Sequence, residues 1–468
     1  MTQTHIWWIR RDIRLFDNQA LGAALQGADR LVPLFIIEPE LMANAAPARR
    51  RFLLQALGDL DQALQTLGSR LIVRNGPAVQ ALQNIKNEMG QTQVFTQEDF
   101  TPFARNRDKS AAEIVNLTLC PGTMLRHPTE ITKSDDDAYS VYTPYKNSYY
   151  TQPMPKPADC LPMPDQLPPL PEGMTSDELP QTDPLPGFPA TAREAHLRLQ
   201  TFIAEGIYAY QQHRDRLDLE GTSKLSPYLR FGLLSIREAF AQAQLAILQA
   251  GDSHQRGEAQ TWMDELVWRE FYTMILFHQP QVLNGPYRPE YQHINWRDAP
   301  DDLQAWQAGQ TGYPVVDACM RQLAQTGWMH NRGRMITASF LTKDLLINWQ
   351  EGESWFMHNL IDSDPAANNG GWQWSAGTGT DAAPYFRIFN SVIQGGKFDP
   401  DGDFIAQWVP ELARLPVKYR HEPWTLTPEI AKKHGFKPGV DYPEPIVDYA
   451  FARQRTLDAY RAARDKAE

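Results

Sequence analysis

The run Ile361-Asp-Ser-Asp-Pro-Ala-Ala-Asn-Asn-Gly-Gly-Trp-Gln-Trp374 combines two carboxylates, two amides, a glycine pair and two tryptophans, with few ordinary core residues. Carboxylates accept hydrogen bonds, and asparagine amides both donate and accept them. The pair Gly370-Gly371 lets the backbone approach a partner closely. The run therefore indicates a polar ligand, and an irregular loop closed by two core tryptophans is the plain alternative.

The length of the chain, 468 residues, exceeds what one hydrophobic core usually serves, so we expect two domains. A hydrophobic content of 42% and a charged content of 22% are typical of globular proteins. Arg10, Arg11 and Asp12 interrupt the only apolar start, so no signal peptide is expected. No apolar run reaches membrane-spanning length, and we predict a cytoplasmic protein.

The cysteines and the net charge exclude some classes of protein. Cys120, Cys160 and Cys319 are far apart and form no CxxC motif, so we predict neither a disulfide framework nor a metal site, and expect buried small hydrophobic residues. The formal net charge of -11 argues against coating nucleic acid by bulk attraction. A confined basic surface remains compatible with this charge.

The first part of the chain, residues 1–130, alternates short β-rich runs with amphipathic helical stretches such as Arg49–Leu67 and Pro77–Met89. The predicted strands are His5–Arg10, Arg30–Ile37, Arg70–Asn75, Gln91–Gln97 and Asn116–Cys120. This alternation is typical of a Rossmann-like α/β domain with a parallel five-stranded sheet. No GxGxxG follows the first strand, so a dinucleotide held in the usual way is not supported.

The rest of the chain differs in composition. Twelve of the 36 prolines lie between residues 151 and 190, which predicts an interdomain linker over 131–195. Helical periods follow, and eleven of the 13 tryptophans lie at or after Trp262. We predict an all-α C-terminal domain over 196–468.

Three segments of this helical part carry unusual side chains. Gly221-Thr-Ser-Lys-Leu-Ser-Pro-Tyr228 offers hydroxyls and a cation at a helix start, which suits a diphosphate, although a plain N-cap at Ser226 fits equally well. Trp262-Met-Asp-Glu-Leu-Val-Trp-Arg-Glu-Phe-Tyr272 puts a carboxylate between two indoles on one helix face. Trp328-Met-His-Asn-Arg-Gly-Arg-Met335 places an amide, a guanidinium and a thioether on one side.

Together with Trp8-Ile-Arg-Arg-Asp-Ile-Arg-Leu15, Thr311-Gly-Tyr-Pro-Val-Val-Asp317 and Thr378-Gly-Thr-Asp-Ala-Ala-Pro-Tyr-Phe-Arg387, these segments resemble the photolyase/cryptochrome family, most closely the class I cyclobutane pyrimidine dimer photolyases. The resemblance covers nearly the whole chain. It implies that the α/β domain binds an antenna chromophore and that the all-α C-terminal domain binds FAD and carries catalysis.

The resemblance also implies a set of cofactor residues. Asn368 would lie against flavin N5, where an amide favours the electron-rich flavin, and Arg334 would pair with Asp362 across the isoalloxazine ring. The implied FAD-binding residues are Tyr210, Thr222, Ser223, Lys224, Leu225, Ser226, Trp262, Glu265, Arg269, Arg334, Asp362, Asp364 and Asn368.

On the substrate side, the resemblance implies that Glu265 faces the carbonyl and imide groups of the dimer and that Trp268 and Trp374 pack against it. Asn331 and Met335 complete the pocket, where a photolyase specific for the (6-4) photoproduct carries histidines. The implied electron-transfer chain is Trp372, Trp349 and Trp296, for which buried core tryptophans are the alternative. The implied DNA-binding residues are Arg214, Trp268, Asn331, Arg332, Arg387, Gln394 and Lys397.

The implied function is light-driven repair of cyclobutane pyrimidine dimers by electron transfer from excited FADH⁻ to a dimer flipped out of UV-damaged DNA. A cryptochrome photoreceptor and a light-independent electron-transfer flavoprotein are the alternatives; the chain ends soon after the helical stretch Asp448–Ala467, whereas signalling cryptochromes usually have a long extension. Asp99-Phe-Thr-Pro-Phe-Ala-Arg-Asn-Arg-Asp108 resembles the type that binds 8-hydroxy-5-deazaflavin as antenna more than the types that bind methenyltetrahydrofolate or FMN. We expect a monomer without a metal.

Overall fold

A computed structural model describes residues 3–90, 92–134 and 137–466. The chain forms two compact units. The first unit contains the residues up to Tyr210, Thr222–Pro280 and Ile361–Ala366; the second contains Gln211–Gly221, Gln281–Leu360 and the residues from Ala367 onward. The domain boundaries inferred from the sequence stay a prediction. In the described ranges, no helix is both long and apolar enough to cross a membrane.

A parallel sheet lies at the centre of the first unit, as predicted. Its strands, in the described part of the chain, are β1 (Thr4–Ile9), β2 (Arg30–Ile37), β3 (Ile72–Asn75), β4 (Gln93–Gln97) and β5 (Asn116–Cys120), in the order β3-β2-β1-β4-β5. Ile6, Trp8 and Leu34 are at most 1% exposed, because helices cover both faces of such a sheet. Gln91, included in the predicted fourth strand, is outside the described residues.

Helices complete the first unit, and those predicted at Arg49–Leu67 and Pro77–Met89 are confirmed within two residues. The helices are α1 (Gln19–Leu25), α2 (Pro39–Ala43), α3 (Pro47–Thr66), α4 (Ala78–Met89), α5 (Pro102–Ala112), α6 (Tyr142–Tyr149), α7 (Ala192–Thr201), α8 (Tyr210–His213), α9 (Ser226–Phe231), α10 (Ile236–Gln249) and α11 (Ser253–His278). Helix α8 begins in the first unit and continues into the second.

The proline-rich segment is hydrogen-bonded to the edge of the sheet. The Asp177 amide donates to the Val73 carbonyl at 2.9 Å, and the Val73 amide donates to Ser176 Oγ at 2.9 Å. The Asn75 amide donates to Asp177 Oδ2 at 2.7 Å. An edge strand exposes backbone groups that need partners. Residues 176–177 supply partners for the edge strand β3.

The second unit is helical, in agreement with the predicted C-terminal part. Its helices are α12 (Pro300–Ala308), α13 (Pro314–Thr326), α14 (Asn331–Ser339), α15 (Trp349–Asn359), α16 (Pro365–Ala376), α17 (Ser391–Phe398), α18 (Asp403–Trp408), α19 (Val417–His421), α20 (Pro428–Lys433) and α21 (Tyr449–Asp465). Trp306, Trp349 and Trp372 belong to one buried core. Ala467, at the end of the last predicted helix, lies outside the described residues.

Two expectations from the sequence are wrong. The run Ile361–Trp374 is not an irregular loop throughout, because helix α16 begins at Pro365, three residues before Asn368, and only residues 361–364 precede it. Proline is well tolerated in a first helical turn. Cys120 and Cys319 are buried, but Cys160 is only half-buried in the proline-rich segment. All three cysteines are free thiols.

Candidate functional site

The segment Thr222–Ser226 leads into helix α9 of the first unit, which begins at Ser226. Lys224 has a φ of 50°, a left-handed conformation that is uncommon for a residue other than glycine. Leu225, not Ser226, caps the helix, and it caps without a side-chain hydrogen bond. The N-cap alternative for Ser226 is therefore wrong, and its hydroxyl donates instead to the carboxylate of Asp362. Two predicted cofactor segments thus meet in the first unit.

The turn around Asp364 is held by two arginines that the sequence argument did not assign to the site. Arg11 Nη2 donates to Asp364 Oδ2 at 2.6 Å, and its Nη1 lies 3.3 Å from Asp99 Oδ2. Arg230 Nε donates to the Ser363 carbonyl at 2.6 Å. Arg11 lies two residues after the end of β1, next to Arg10 and Asp12. Their position at the carboxyl end of a predicted parallel strand was the usable signal.

The charges in this cluster are strongly coupled. Burial lowers the pKa of Arg11, but Asp99 and Asp364 reverse the direction and raise it above its ordinary value. Burial would raise the pKa of Asp99, whereas Arg11 and Arg230 bring it below its usual range. Burial and the neighbouring Arg11 lower the pKa of Arg230 to about 9, so it remains charged at neutral pH.

Arg269 adds a further positive charge to this part of the first unit. Its Nη1 donates to the Thr123 carbonyl at 2.9 Å, and burial lowers the pKa of its guanidinium. The carboxylates of Asp364, Glu270 and Asp99 oppose the effect of burial on Arg269. These carboxylates offset part of the cost of burying the cation.

The predicted helix 262–272 is confirmed as part of α11. Trp262 is 3% exposed, whereas Glu265 and Trp268 are half-buried on the same helix. The Phe202 ring lies between two predicted cofactor residues, with centroids 5.1 Å from Trp262 and 5.7 Å from Tyr210. These three rings form an aromatic wall in the first unit.

Helix α14 of the second unit presents the amide, guanidinium and thioether predicted from the sequence. Asn331 is exposed and Met335 is half-buried. Arg334 Nε donates to the Met329 carbonyl at 2.9 Å, which directs the guanidinium. Asn331 and Met335 are four residues apart, so they lie on one face of helix α14.

Arg332 on the same helix is already engaged by side chains of the second unit. Its Nη2 lies 2.6 Å from Asp215 Oδ2, and its guanidinium lies 4.4 Å from the Phe398 ring centroid. The neighbouring carboxylate reduces the positive charge that Arg332 can offer to a phosphate.

Asn368 on helix α16 is oriented by Glu353 of helix α15. Asn368 Nδ2 donates to the Glu353 carbonyl at 3.0 Å, and Asn369 Nδ2 donates to Glu353 Oε1 at 2.9 Å. Burial raises the pKa of Glu353 to about 7, and the hydrogen bond from Asn369 opposes this rise. Glu353 could not be identified from the sequence, since one glutamate on a helix carries no distinguishing pattern.

The tryptophans of the second unit are tightly packed. Trp349 and Trp372 are each 2% exposed, and Trp296 packs against the same core. A Cβ on Gly352 would lie 2.0 Å from Trp372 Cη2, so this glycine permits the close approach of the ring. Trp306, which the sequence argument left unassigned, contacts Trp372 edge-on at 6.0 Å between centroids.

Trp374 is half-buried on the opposite side of helix α16 from Trp372. Residues two apart in a helix differ by about 200° in direction. In an extended run the two indoles would instead share one side, so the helix is what separates them.

The predicted DNA-binding residues of the second unit differ in exposure. Arg387 and Lys397 are exposed, and Gln394 and Arg214 are half-buried. Lys397 lies in the last turn of α17, with Nζ 5.0 Å from the centroid of the Phe398 ring. An exposed ammonium in this position can reach a phosphate without losing an ion pair.

The segment Asp99–Asp108 contains the start of helix α5 in the first unit. Arg107 Nη1 donates to Glu38 Oε1 at 3.0 Å, and Arg10 pairs with Asp108. Both guanidiniums lie over the Trp8 ring, at 4.8 Å for Arg10 and 5.1 Å for Arg107. Several polar groups of this segment are therefore engaged by protein side chains.

Comparison with known proteins identifies the family of this chain. A model described as "DNA photolyase" matches residues 5–165, and one described as "FAD binding domain of DNA photolyase" matches residues 262–462. A deoxyribodipyrimidine photo-lyase of Escherichia coli is 40% identical, over 98% of this chain and 99% of the relative. The chain belongs to the DNA photolyase family.

Solved structures agree with this assignment. A bacterial class III photolyase from Agrobacterium tumefaciens matches with a TM-score of 0.91 and 35% identity, covering 99% of this chain and 98% of that one. A cryptochrome from Synechocystis matches with a TM-score of 0.88 and 28% identity, covering 98% of this chain and 99% of that one. Repair enzymes and cryptochromes therefore share this fold. The fold alone does not distinguish the two classes of protein, and the residues of the site must do so.

Proposed function

We propose that this protein repairs cyclobutane pyrimidine dimers in UV-damaged DNA with light. The observation that carries the proposal is the match to the Escherichia coli deoxyribodipyrimidine photo-lyase, which spans 98% of this chain at 40% identity. Such a match includes both parts of the chain, so it extends beyond a shared cofactor domain. Reduced FAD, when bound, supplies the light-excited electron for splitting the dimer.

The residues of the first unit fit the flavin cofactor. The hydroxyls and cation of the Thr222–Ser226 loop, with the unusual backbone of Lys224, suit the diphosphate and the ribityl chain. The aromatic wall formed by Trp262, Phe202 and Tyr210 suits a planar ring system. Asp362, Asp364 and Leu225 are proposed to complete the contacts of this unit.

In the second unit, Asn368 is proposed to contact the flavin N5 and Arg334 the ring system. Because Asn368 Nδ2 donates to the Glu353 carbonyl, the amide is held in one orientation, with its oxygen available as an acceptor. An acceptor oxygen suits an N–H group and adds no charge. Glu353 is therefore a positioning residue in this proposal.

The substrate residues are proposed for each unit separately. In the first unit, Glu265 faces the polar edge of the dimer and Trp268 packs against it. In the second unit, Trp374, Asn331 and Met335 contact the lesion. A dimer must leave the duplex stack before any such contact forms, and a damaged base costs less to extrude than a normal one.

The electron-transfer route is proposed to run through Trp372, Trp349 and Trp296 of the second unit. Trp372 and Trp349 belong to one buried core, and the half-buried Trp296 packs against it. Their part is to deliver electrons to oxidised FAD, which returns the cofactor to the reduced state.

Arg214, Arg387, Gln394 and Lys397 are proposed to contact DNA phosphates, and Arg332 to a smaller extent. We propose 8-hydroxy-5-deazaflavin as the antenna in preference to methenyltetrahydrofolate or FMN, with the segment Asp99–Asp108 as the supporting resemblance. Residence in the cytoplasm and a monomeric state stay predictions. The cryptochrome alternative is not favoured, because curated relatives that match along the whole chain are named as photo-lyases.

The experiment that tests the proposed function is a dark titration of the FAD-loaded protein with two duplexes that differ only in one thymine dimer. The dimer-containing duplex should bind at least about tenfold more tightly, because only a dimer fills the pocket without the full cost of extrusion. Equal affinity for the two duplexes would support a flavoprotein of another class.

A further inference from the structure

The indole of Trp268 is stacked on a tyrosine from a different helix. The Tyr142 ring of α6 lies 3.5 Å from the Trp268 ring between centroids, with an angle of 9° between the planes. Phe271 meets Trp268 edge-on, at 5.6 Å and 85°, and Tyr272 lies 5.5 Å away with a tilt of 32°. Among the described ring contacts of Trp268, only the one with Tyr142 is parallel. Tyr142 therefore occupies one of the two faces of the indole.

Tyr142 itself is held firmly against helix α11. It is 5% exposed, and its hydroxyl donates to the Asp264 carbonyl at 2.7 Å. Lys146 Nζ lies 2.8 Å from Asp264 Oδ2, and the Tyr150 hydroxyl donates to Asp264 Oδ1 at 2.7 Å. Burial and the nearby Asp264 carboxylate raise the pKa of Tyr142, so the phenol stays neutral and keeps its hydrogen bond. Helix α6 thus presents a rigid ring to Trp268.

We infer that Tyr142 is a positioning residue that fixes the indole of Trp268 so that its opposite face is ready to stack on an extruded lesion. The inference rests on the proposed function, in which Trp268 contacts the dimer. A half-buried indole without this support would lose rotamer freedom when the lesion binds, which weakens binding. Because Tyr142 already restricts the indole in the free protein, less rotamer freedom is lost when DNA binds. Tyr142 does this without contacting the DNA.

Tyr142 should therefore influence the preference for damaged DNA more than affinity for DNA in general. Undamaged duplex is held mainly by phosphate contacts, which do not depend on the orientation of Trp268. A lesion in the pocket depends on it directly, since stacking requires parallel planes at close distance.

The test is a dark titration of FAD-loaded variants with the duplexes with and without a dimer. Tyr142→Leu should reduce the ratio of damaged to undamaged affinity by about 2- to 12-fold, the range expected for one aromatic pair. Tyr142→Phe keeps the ring and loses the hydrogen bond to Asp264, so it should restore the ratio to within about twofold. If Tyr142→Leu does not fold, Tyr142→Met replaces it, because methionine preserves buried volume without a planar face.

Tyr145→Leu is the matched control. Tyr145 lies on the same helix, is 1% exposed, and contacts Phe271 at 5.3 Å. Its loss should lower the thermal midpoint as much as the loss of Tyr142 does, while leaving the affinity ratio unchanged. Equal losses of the ratio in the two leucine variants, or the same loss in Tyr142→Phe, would overturn the inference. A wild-type protein without preference for the dimer would instead overturn the proposed function, and the inference with it.

Discussion

Glu265 is half-buried on helix α11 beside Trp268, in the position proposed for the polar edge of the dimer. Its carboxyl group should matter most when charge develops on the dimer carbonyl, since catalysis requires stronger interaction in the reacting state. Glu265→Ala should cost about 2 kcal/mol in repair and about 1 kcal/mol or less in dark binding. Repair quantum yield and dark affinity, measured on the same protein, compare the two effects, and Glu265→Gln serves as the neutral control of similar size. Equal losses would make Glu265 a binding group only.

Asn331 and Met335 lie on one face of helix α14, where they present an amide and a thioether. We predict that the protein repairs cyclobutane dimers and not the (6-4) photoproduct. The second reaction needs a proton donor that neither side chain supplies at neutral pH. Repair of oligonucleotides carrying each lesion measures this specificity, and efficient repair of the (6-4) lesion would disprove the assignment.

Trp372 and Trp306 allow a matched comparison within one core, because their rings touch and both are at most 2% exposed. Trp372→Phe should abolish light-driven reduction of oxidised FAD, since phenylalanine is much harder to oxidise than tryptophan. Repair by chemically reduced enzyme should remain within about twofold. Trp306→Phe removes similar volume and should leave photoreduction intact. Absorption spectra under illumination distinguish the variants, and equal photoreduction in both would refute the proposed chain.

Individual residues show how far the sequence could be interpreted. The face of helix α11 was predictable because a helix places residues three and four apart together. The contacts among Arg11, Asp99 and Arg230 could not be predicted, because these residues are far apart in sequence and only tertiary packing joins them. Tyr142 was not identified because it lies in the stretch assigned to the linker.

Glu353 of helix α15 accepts hydrogen bonds from Asn368 and Asn369 of helix α16. Burial raises the pKa of Glu353 to about 7. The folded protein therefore keeps this proton at pH values where the unfolded chain, with an ordinary pKa of 4.5, has lost it. The stabilising effect of the proton is complete below about pH 4.5 and is lost as the pH rises toward 7.

Glu353→Gln removes this titration and keeps a similar shape. Between pH 5 and pH 8, the free energy of unfolding of the wild type should fall by about 1–2 kcal/mol more than that of the variant, after allowance for the partial exposure of the side chain. Urea unfolding at both pH values measures this difference. Other buried carboxyls titrate alike in the two proteins, so their contributions cancel in the comparison. Parallel pH profiles would contradict the raised pKa.

The elements with strong periodicity were predicted well, whereas the segment around residues 365–376 was not. The strands and the helices near residues 47–66 and 78–89 follow from apolar spacing and turn residues. Helix α16 contains two asparagines and two glycines, which all have low helix propensity, so local sequence favours a loop. Packing of Trp372 against Gly352 and the hydrogen bonds to Glu353 stabilise the helix instead.

For the whole molecule, a net charge of -11 must be reconciled with DNA binding. Affinity should come from a limited set of exposed cations, and log affinity should fall with log salt by about 0.9 for each phosphate neutralised. Lys397→Ala should lower the slope by about 1 and weaken damaged and undamaged DNA alike. Arg332→Ala should have a smaller effect, because Arg332 is already paired with Asp215. Titrations at several salt concentrations test this, and binding insensitive to salt would rule out the cationic contacts.

The most direct test of light-driven repair is to follow one thymine dimer in a defined oligonucleotide, with the enzyme in its reduced, FAD-loaded form. Identical samples are kept in the dark or illuminated, and the dimer and the restored thymines are quantified by chromatography. We expect the dimer to bind in both samples and to disappear only in the light, with equal appearance of normal thymines. A dimer that is bound under illumination but remains intact would contradict the proposed activity.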